Sequence, residues 1–141
     1  MANIVPDSFI EELFEAVHNF STPGGNVFRL ALYSTVTGFS STGTTAYTVT
    51  NEVSGTGYSA SGTTLTNLGV AVGQNISYVD FADATFSTAT ITASCALIYN
   101  TTQSSKAVVV LDFGGDKTST NGDFTIQFPA ANSTSAILRI S

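Results

Sequence analysis

KAVVVLDFGGDKTSTNGDFTIQF, residues 106–128, is the stretch on which the reading of this chain turns. Its opening run, KAVVVLDF, is apolar on both faces of an extended strand, the pattern of a strand in the middle of a packed sheet. Its closing run, FTIQF, alternates and puts Phe124, Ile126 and Phe128 on one side. Between them, GGDKTSTNG offers Gly and Asn for left-handed backbone and Asp to cap free amides. The middle is therefore expected to be a surface connection between two strands.

The same stretch concentrates charge in Asp112, Asp116, Lys117 and Asp123, so it is the first place to test for chemistry. An EF-hand calcium loop needs oxygen ligands at every second position and a glutamate at its end. Asp112 and Asp116 are instead four apart, Asp123 follows seven later, and no Glu comes after it. Asp-Phe-Gly at 112–114 matches the metal-binding triplet of kinases, but no glycine-rich phosphate loop or catalytic-loop motif accompanies it. Asp112, Asp116 and Asp123 are expected to hold no metal that the fold needs.

Outward from this stretch the alternation continues. VFRLALYS places Phe28, Leu30 and Leu32 opposite Arg29, Ala31 and Tyr33, and ITASCALIY places Ile91, Ala93, Cys95, Leu97 and Tyr99 on one face. AYTVTNEV, TTLTNLGVAV, ISYVDF and the closing AILRIS are further strand candidates. Turn signals recur about every 8–12 residues, which predicts an all-β domain over 1–141, a β-sandwich or jelly roll of about eight strands. One segment departs from period two. In PDSFIEELFEAVHNF, Phe9, Ile10, Leu13, Phe14, Val17 and Phe20 recur at helical spacing, which predicts one helix over 7–19 behind a short arm, MANIVP. Ser8 with Glu11 forms a candidate capping box, and Asp7 competes as N-cap. Leu13, Phe14 and Val17 are expected to cover an open edge or end of the β-body.

Composition narrows the function. Only 10% of the 141 residues are charged, against about 25% in ordinary domains, and the net charge of -6 reflects just four cations, Arg29, Lys106, Lys117 and Arg139. Scattered cations cannot neutralise a phosphate backbone, so nucleic acid is not an expected partner. No segment has the apolar length of a membrane span or the pattern of a signal peptide, so a soluble chain made in a cytosol is expected. The single Cys excludes an internal disulfide framework.

The remaining candidates for catalysis are isolated. His18, the only histidine, is expected as a dipole partner at the end of the helix. Cys95 has the setting of a small buried hydrophobe, without the electropositive surroundings of a nucleophile. Asp80 and Asp83, in YVDFADATF, are a candidate carboxylate pair for glycoside cleavage, with Phe81 between them, and are expected at a strand end and turn. The expectation is a non-enzymatic protein without catalytic residues, cofactor or metal.

Six blocks taken in order carry a resemblance: NIVPDSFIEEL, VFRLALYS, TNEVSGTGYSASGTTL, VDFADATF, ALIYN and VLDFGGDKTSTNGDFTIQF. Together the chain resembles small structural proteins of tailed bacteriophages, with the capsid cement (decoration) proteins of short-tailed phages as the nearest functional analogue. That resemblance implies a jelly-roll body that sits as a homodimer on the outer capsid surface and bridges major capsid protein subunits, after synthesis in the bacterial host cytoplasm. A tail or head-fibre component, or an adhesin, is the alternative it leaves open. Ile4, Val5, Phe9 and Leu13, in the arm and helix, are the expected partner contacts. A cement protein needs no chemistry, only a rigid body, exposed strand edges and an apolar anchor multiplied over many copies.

Overall fold

The computed structural model describes residues 3–129, 132 and 134–140. Helix α1 (Asp7–Phe14) precedes seven strands: β1 (Phe28–Tyr33), β2 (Thr63–Thr64), β3 (Asn67–Gly73), β4 (Ile76–Phe81), β5 (Ala84–Asn100), β6 (Lys106–Ile126) and β7 (Leu138–Ile140). They form two antiparallel sheets, ordered β2-β1-β5-β6 and β3-β4-β7. The chain is all-β with one N-terminal helix, as its alternation predicts. Met1, Ala2 and Ser141, at the ends of the expected arm and final strand, lie outside the described residues.

The helix is shorter than its hydrophobic spacing predicts. The amide of Val17 donates to the Glu12 carbonyl (2.9 Å) and that of Ala16 to the Leu13 carbonyl (3.2 Å), with Ala16 left-handed at φ 59°. This is a Schellman stop, which usually places Gly at the left-handed position. Ala there conceals the end of the helix from a sequence reading. The reversal turns Phe20 into the core, where it stacks on Phe28 at 4.5 Å and meets the edge of Phe9 at 6.1 Å. No side chain caps the first turn; Pro6 is the N-cap, and the Ser8 hydroxyl donates instead to the Thr44 carbonyl at 3.3 Å. Leu13 packs against the core and Val17 is half-buried, but Phe14 projects into solvent at 90% exposure.

The acidic stretch is strand, not connection. β6 spans Lys106 to Ile126 and pairs with β5 on both sides of a bulge at 113–116, with Cys95 opposite Asp112 before it and Ala93 opposite Lys117 and Thr92 opposite Thr118 after it. Polar residues at 114–121 resemble a loop because both faces of this part of β6 are largely solvent-exposed. Irregular register between the two strands also changes which residues face the core. The core side of β5 is Ala84 and Phe86, then Ala89, Ile91 and Ala93, then Ala96 and Ile98. Each change of parity coincides with a register shift, between Phe86 and Ala89 and between Ala93 and Cys95. Cys95, Leu97 and Tyr99 therefore face away from Ile91 and Ala93, contrary to the single face expected for 91–99.

Two apolar clusters flank the β1–β5–β6 sheet. The larger joins Phe28, Leu30 and Leu32 to Phe9, Phe20, Phe81, Ile98, Val109 and the inward residues of the distal β5–β6 ribbon. Phe81 of β4, 5.7 Å from the Phe28 ring, ties the smaller sheet into it. The second cluster, Ala31, Tyr33, Cys95, Leu97, Tyr99, Ala107 and Val110, is covered by Val36, Phe39 and Tyr47. AYTVTNEV, expected as a strand, supplies part of this cover. It makes only single bridges, Ala46 with Lys106 and Glu52 with Tyr33.

Candidate functional site

Of the carboxylates singled out from the sequence, Asp112, Asp123 and Asp83 are tied to backbone amides, and Asp83 stands near enough to Asp80 to act on its charge. Asp112 Oδ1 accepts from the Gly114 amide at 2.8 Å, and Asp123 Oδ1 from the Thr88 amide at 3.3 Å, so each serves its local backbone. Asp83 Oδ1 accepts from the Phe128 amide at 2.9 Å. Asp80 is buried in β4 with its Oδ1 lacking a hydrogen-bond partner; burial pushes its carboxyl above the usual range, the Phe128-bound Asp83 adding to that and the Phe81 amide opposing it. Among the described residues, no group of three or more His, Cys, Asp or Glu side chains is placed to share a metal ion. Cys95 is free and fully buried, and burial pushes its thiol up to about 11.

Two polar clusters that the sequence reading missed organise the interior. In the first, Glu52 accepts the Tyr47 hydroxyl on Oε2 (2.6 Å), and the Tyr58 hydroxyl (2.6 Å) and Ser61 amide (2.7 Å) on Oε1. Tyr58 Oη in turn accepts the Leu32 amide at 3.0 Å, linking the cluster to β1. Arg29 grips the far side of the same loop through the Ser61 and Gly62 carbonyls, at 3.2 and 2.6 Å. Gly62 is left-handed at φ +77°, and any Cβ there would overlap the Leu30 carbonyl, so the loop lies directly on β1. A sequence signal existed: Glu52 is the only acidic residue between Glu15 and Asp80, and Tyr47 and Tyr58 bracket it. Every oxygen of Glu52 is committed internally, so the cluster pins the 46–62 segment and offers no free carboxylate.

In the second cluster, His18 lies beyond the helix end and is buried, not a partner to the dipole on an outer face. Its Nε2 is 2.8 Å from Glu12 Oε2 and its Nδ1 is 3.0 Å from Asn100 Nδ2. Burial pulls the imidazole below its ordinary value, against the opposing attraction of Glu12.

The expected contact residues separate into different environments. Ile4 exchanges two 2.8 Å main-chain hydrogen bonds with Val110, so the described part of the arm lies on the edge of its own β6. Phe9 is 4% exposed within the main core, and Leu13 packs against it. Val5 is partly exposed, and the large apolar side chains of the helix that reach solvent are Ile10 and Phe14. A second apolar surface belongs to the β3–β4–β7 sheet. Val70, Val79 and Leu138 lie side by side across it, as do Val72, Ser77 and Ile140. Val79 is buried in the core and Leu138 packs against it, whereas Val72 and Ile140 on the same face are 70% and 60% exposed. The inward face of this sheet therefore continues past the core that covers it.

No family model, curated protein or solved structure matches the chain.

Proposed function

We propose that this chain is a bacteriophage capsid cement protein that binds the outer surface of the head and bridges major capsid protein subunits. The observation that carries this reading is the overhanging apolar face of β3–β4–β7, where Val70, Val72 and Ile140 stand exposed on the side of the sheet that elsewhere forms the core. Exposed apolar area of this kind marks an interaction surface. β3 and β7 are the outer strands of that sheet, so main-chain pairing with a neighbour can accompany apolar burial. The resemblance of the six sequence blocks to phage structural proteins gives the neighbour its identity, a head subunit or a second copy of this chain. A contact of this type depends weakly on salt, since four cations cannot support an extensive ion-pair network.

The test is attachment to purified heads. Val72→Asp removes an exposed apolar side chain without touching the core, so the variant should fold normally and fail to bind. Heads lacking the protein should release DNA at lower temperature, and its copy number should approach that of the major capsid protein. Clean removal by mild salt with no loss of heat stability in the bare heads sinks the cement reading. A copy number of only a few per particle would transfer the protein to a tail or head fibre.

A further inference from the structure

The Glu12–His18–Asn100 chain has its proton positions dictated by backbone amides. Asn100 Oδ1 accepts from the amides of Thr102 (3.1 Å) and Gln103 (3.3 Å), which fixes the orientation of its side chain. Its Nδ2 then donates to Asn26 Oδ1 at 2.8 Å and faces His18 Nδ1 at 3.0 Å. Asn26 Oδ1 also accepts the Asn19 amide at 2.9 Å, so that residue is fixed in the same sense. A side-chain amide nitrogen is only a donor, so Nδ1 is the bare acceptor and the His18 proton resides on Nε2, donated to Glu12 Oε2 at 2.8 Å. The neutral ring is fully satisfied. A second proton, on Nδ1, would set two donors against each other around a side chain with 0% exposure, where no solvent can replace the lost bond.

The charged groups facing the ring are Glu12 from α1 and Lys106 from the start of β6. Lys106 Nζ lies 3.5 Å from Glu12 Oε1, so the carboxylate that would welcome an imidazolium already has a cation beside it. The end of β5 contributes only neutral Asn100, and the rings of Phe9 and Phe20, at 5.0 and 6.4 Å, supply the apolar walls. The cluster joins three parts of the chain through polar side chains buried beside the Phe9–Phe20–Phe28 stack: the short helix, the 18–26 turn and the root of the β5–β6 pair.

We propose that this cluster is an acid-released latch, in which neutral His18 clamps α1 and the following turn to the β-body and protonated His18 lets that N-terminal unit open. Opening would uncover Phe9, Phe20 and the face of Phe28 on which Phe20 stacks, creating an apolar surface that is absent at neutral pH. The direction of the imidazole shift agrees with the geometry. A ring that binds its proton less readily when clamped stabilises the closed form fully above about pH 6.5, and the stabilisation declines as pH falls through the clamped ring's lower value.

The experiment is nitrogen-15 NMR of the imidazole in the full chain, together with amide exchange of α1 between about pH 7.5 and pH 5. The latch requires the Nε2–H tautomer, a titration midpoint below about 6.5, and an open population of α1 that grows by up to about tenfold per pH unit once intrinsic exchange is corrected for. His18→Gln, which cannot titrate, should show no such growth. Asn100→Asp, which places an acceptor opposite Nδ1, should raise the midpoint. A proton on Nδ1, a midpoint at or above about 6.5, or pH-independent opening of α1 in the wild type overturns the proposal. Acid opening of His18→Gln equal to that of the wild type overturns it as well. If the variants do not fold, the tautomer and midpoint of the wild-type ring decide.

Discussion

Near their connecting turn, β5 and β6 pair Cys95–Asn100 against Lys106–Asp112, with apolar clusters on both faces. In their far half, Ala84–Ala93 pairs with Lys117–Ile126, and only one face packs. The near half is almost wholly buried, from Cys95 to Asn100 and from Ala107 to Leu111. The far half alternates burial and exposure, and its outer face carries cross-strand threonine pairs, Thr85–Thr125 at 3.0 Å and Thr92–Thr118 at 2.8 Å. One continuous hairpin thus contains two kinds of sheet. The near half is stabilised by burial on both sides, the far half by burial on one side and by main-chain pairing.

The sharpest way to test that contrast is to remove core volume from the near half. Ile98→Ala, at a side chain with 0% exposure, should cost about 2–5 kcal/mol of unfolding free energy in urea melts. Cys95 reports on the same region. With its thiol pushed up to about 11 and its side chain buried, it should react with a disulfide-exchange reagent at neutral pH only as the near half opens. Labelling of the native protein at the rate of an exposed thiol would show that the second cluster is not closed.

The cover over the near half is the next lever. Glu52→Gln turns one acceptor end into a donor facing the Tyr hydroxyls or the Ser61 amide, and should cost about 1.5–3 kcal/mol. Tyr47 stacks on Tyr99 at 4.8 Å, so the same variant should speed Cys95 labelling, whereas a far-half variant should not. Ala16→Gly, outside both halves, should move stability the other way, by up to about 1 kcal/mol, because it relieves a left-handed Ala at the helix stop. The smallest effect belongs to the far half's outer face. Thr92→Ala removes one member of an exposed cross-strand pair and should cost about 0.2–1 kcal/mol. A loss there as large as that of Ile98→Ala would erase the distinction between the halves.

The acid latch and the Glu52 pin explain why site reasoning from the sequence fell short. Glu12, His18 and Asn100 are separated by 6 and 82 positions, and only the tertiary fold makes them one network. A helix over 7–19 puts His18 in its last turn, as a partner to the dipole; the stop after Phe14 sends it inward instead. The expected contact at Phe9 follows from the same amphipathic spacing, which identifies an apolar face without saying what covers it. Here Phe20, from beyond the helix end, covers it.

What the sequence determined by itself is the β class, the single helix at the N-terminus, and the inward set Phe28, Leu30, Leu32, Phe124 and Ile126. Those follow from local periodicity and from Thr-rich, charge-poor composition, which any reader of the chain can count. The tertiary structure decided the ends of α1, the strand character of 114–121 and the side of the sheet that each residue of β5 occupies. The physical reason is common to all three. Strand faces have period two, so each unpaired residue in a bulge exchanges inside for outside, and bulges arise from pairing with a distant partner that the local sequence does not contain. A polar strand resembles a loop until its partner supplies the hydrogen bonds. A left-handed Ala resembles a helical one until the residues beyond it find Phe28 to pack against.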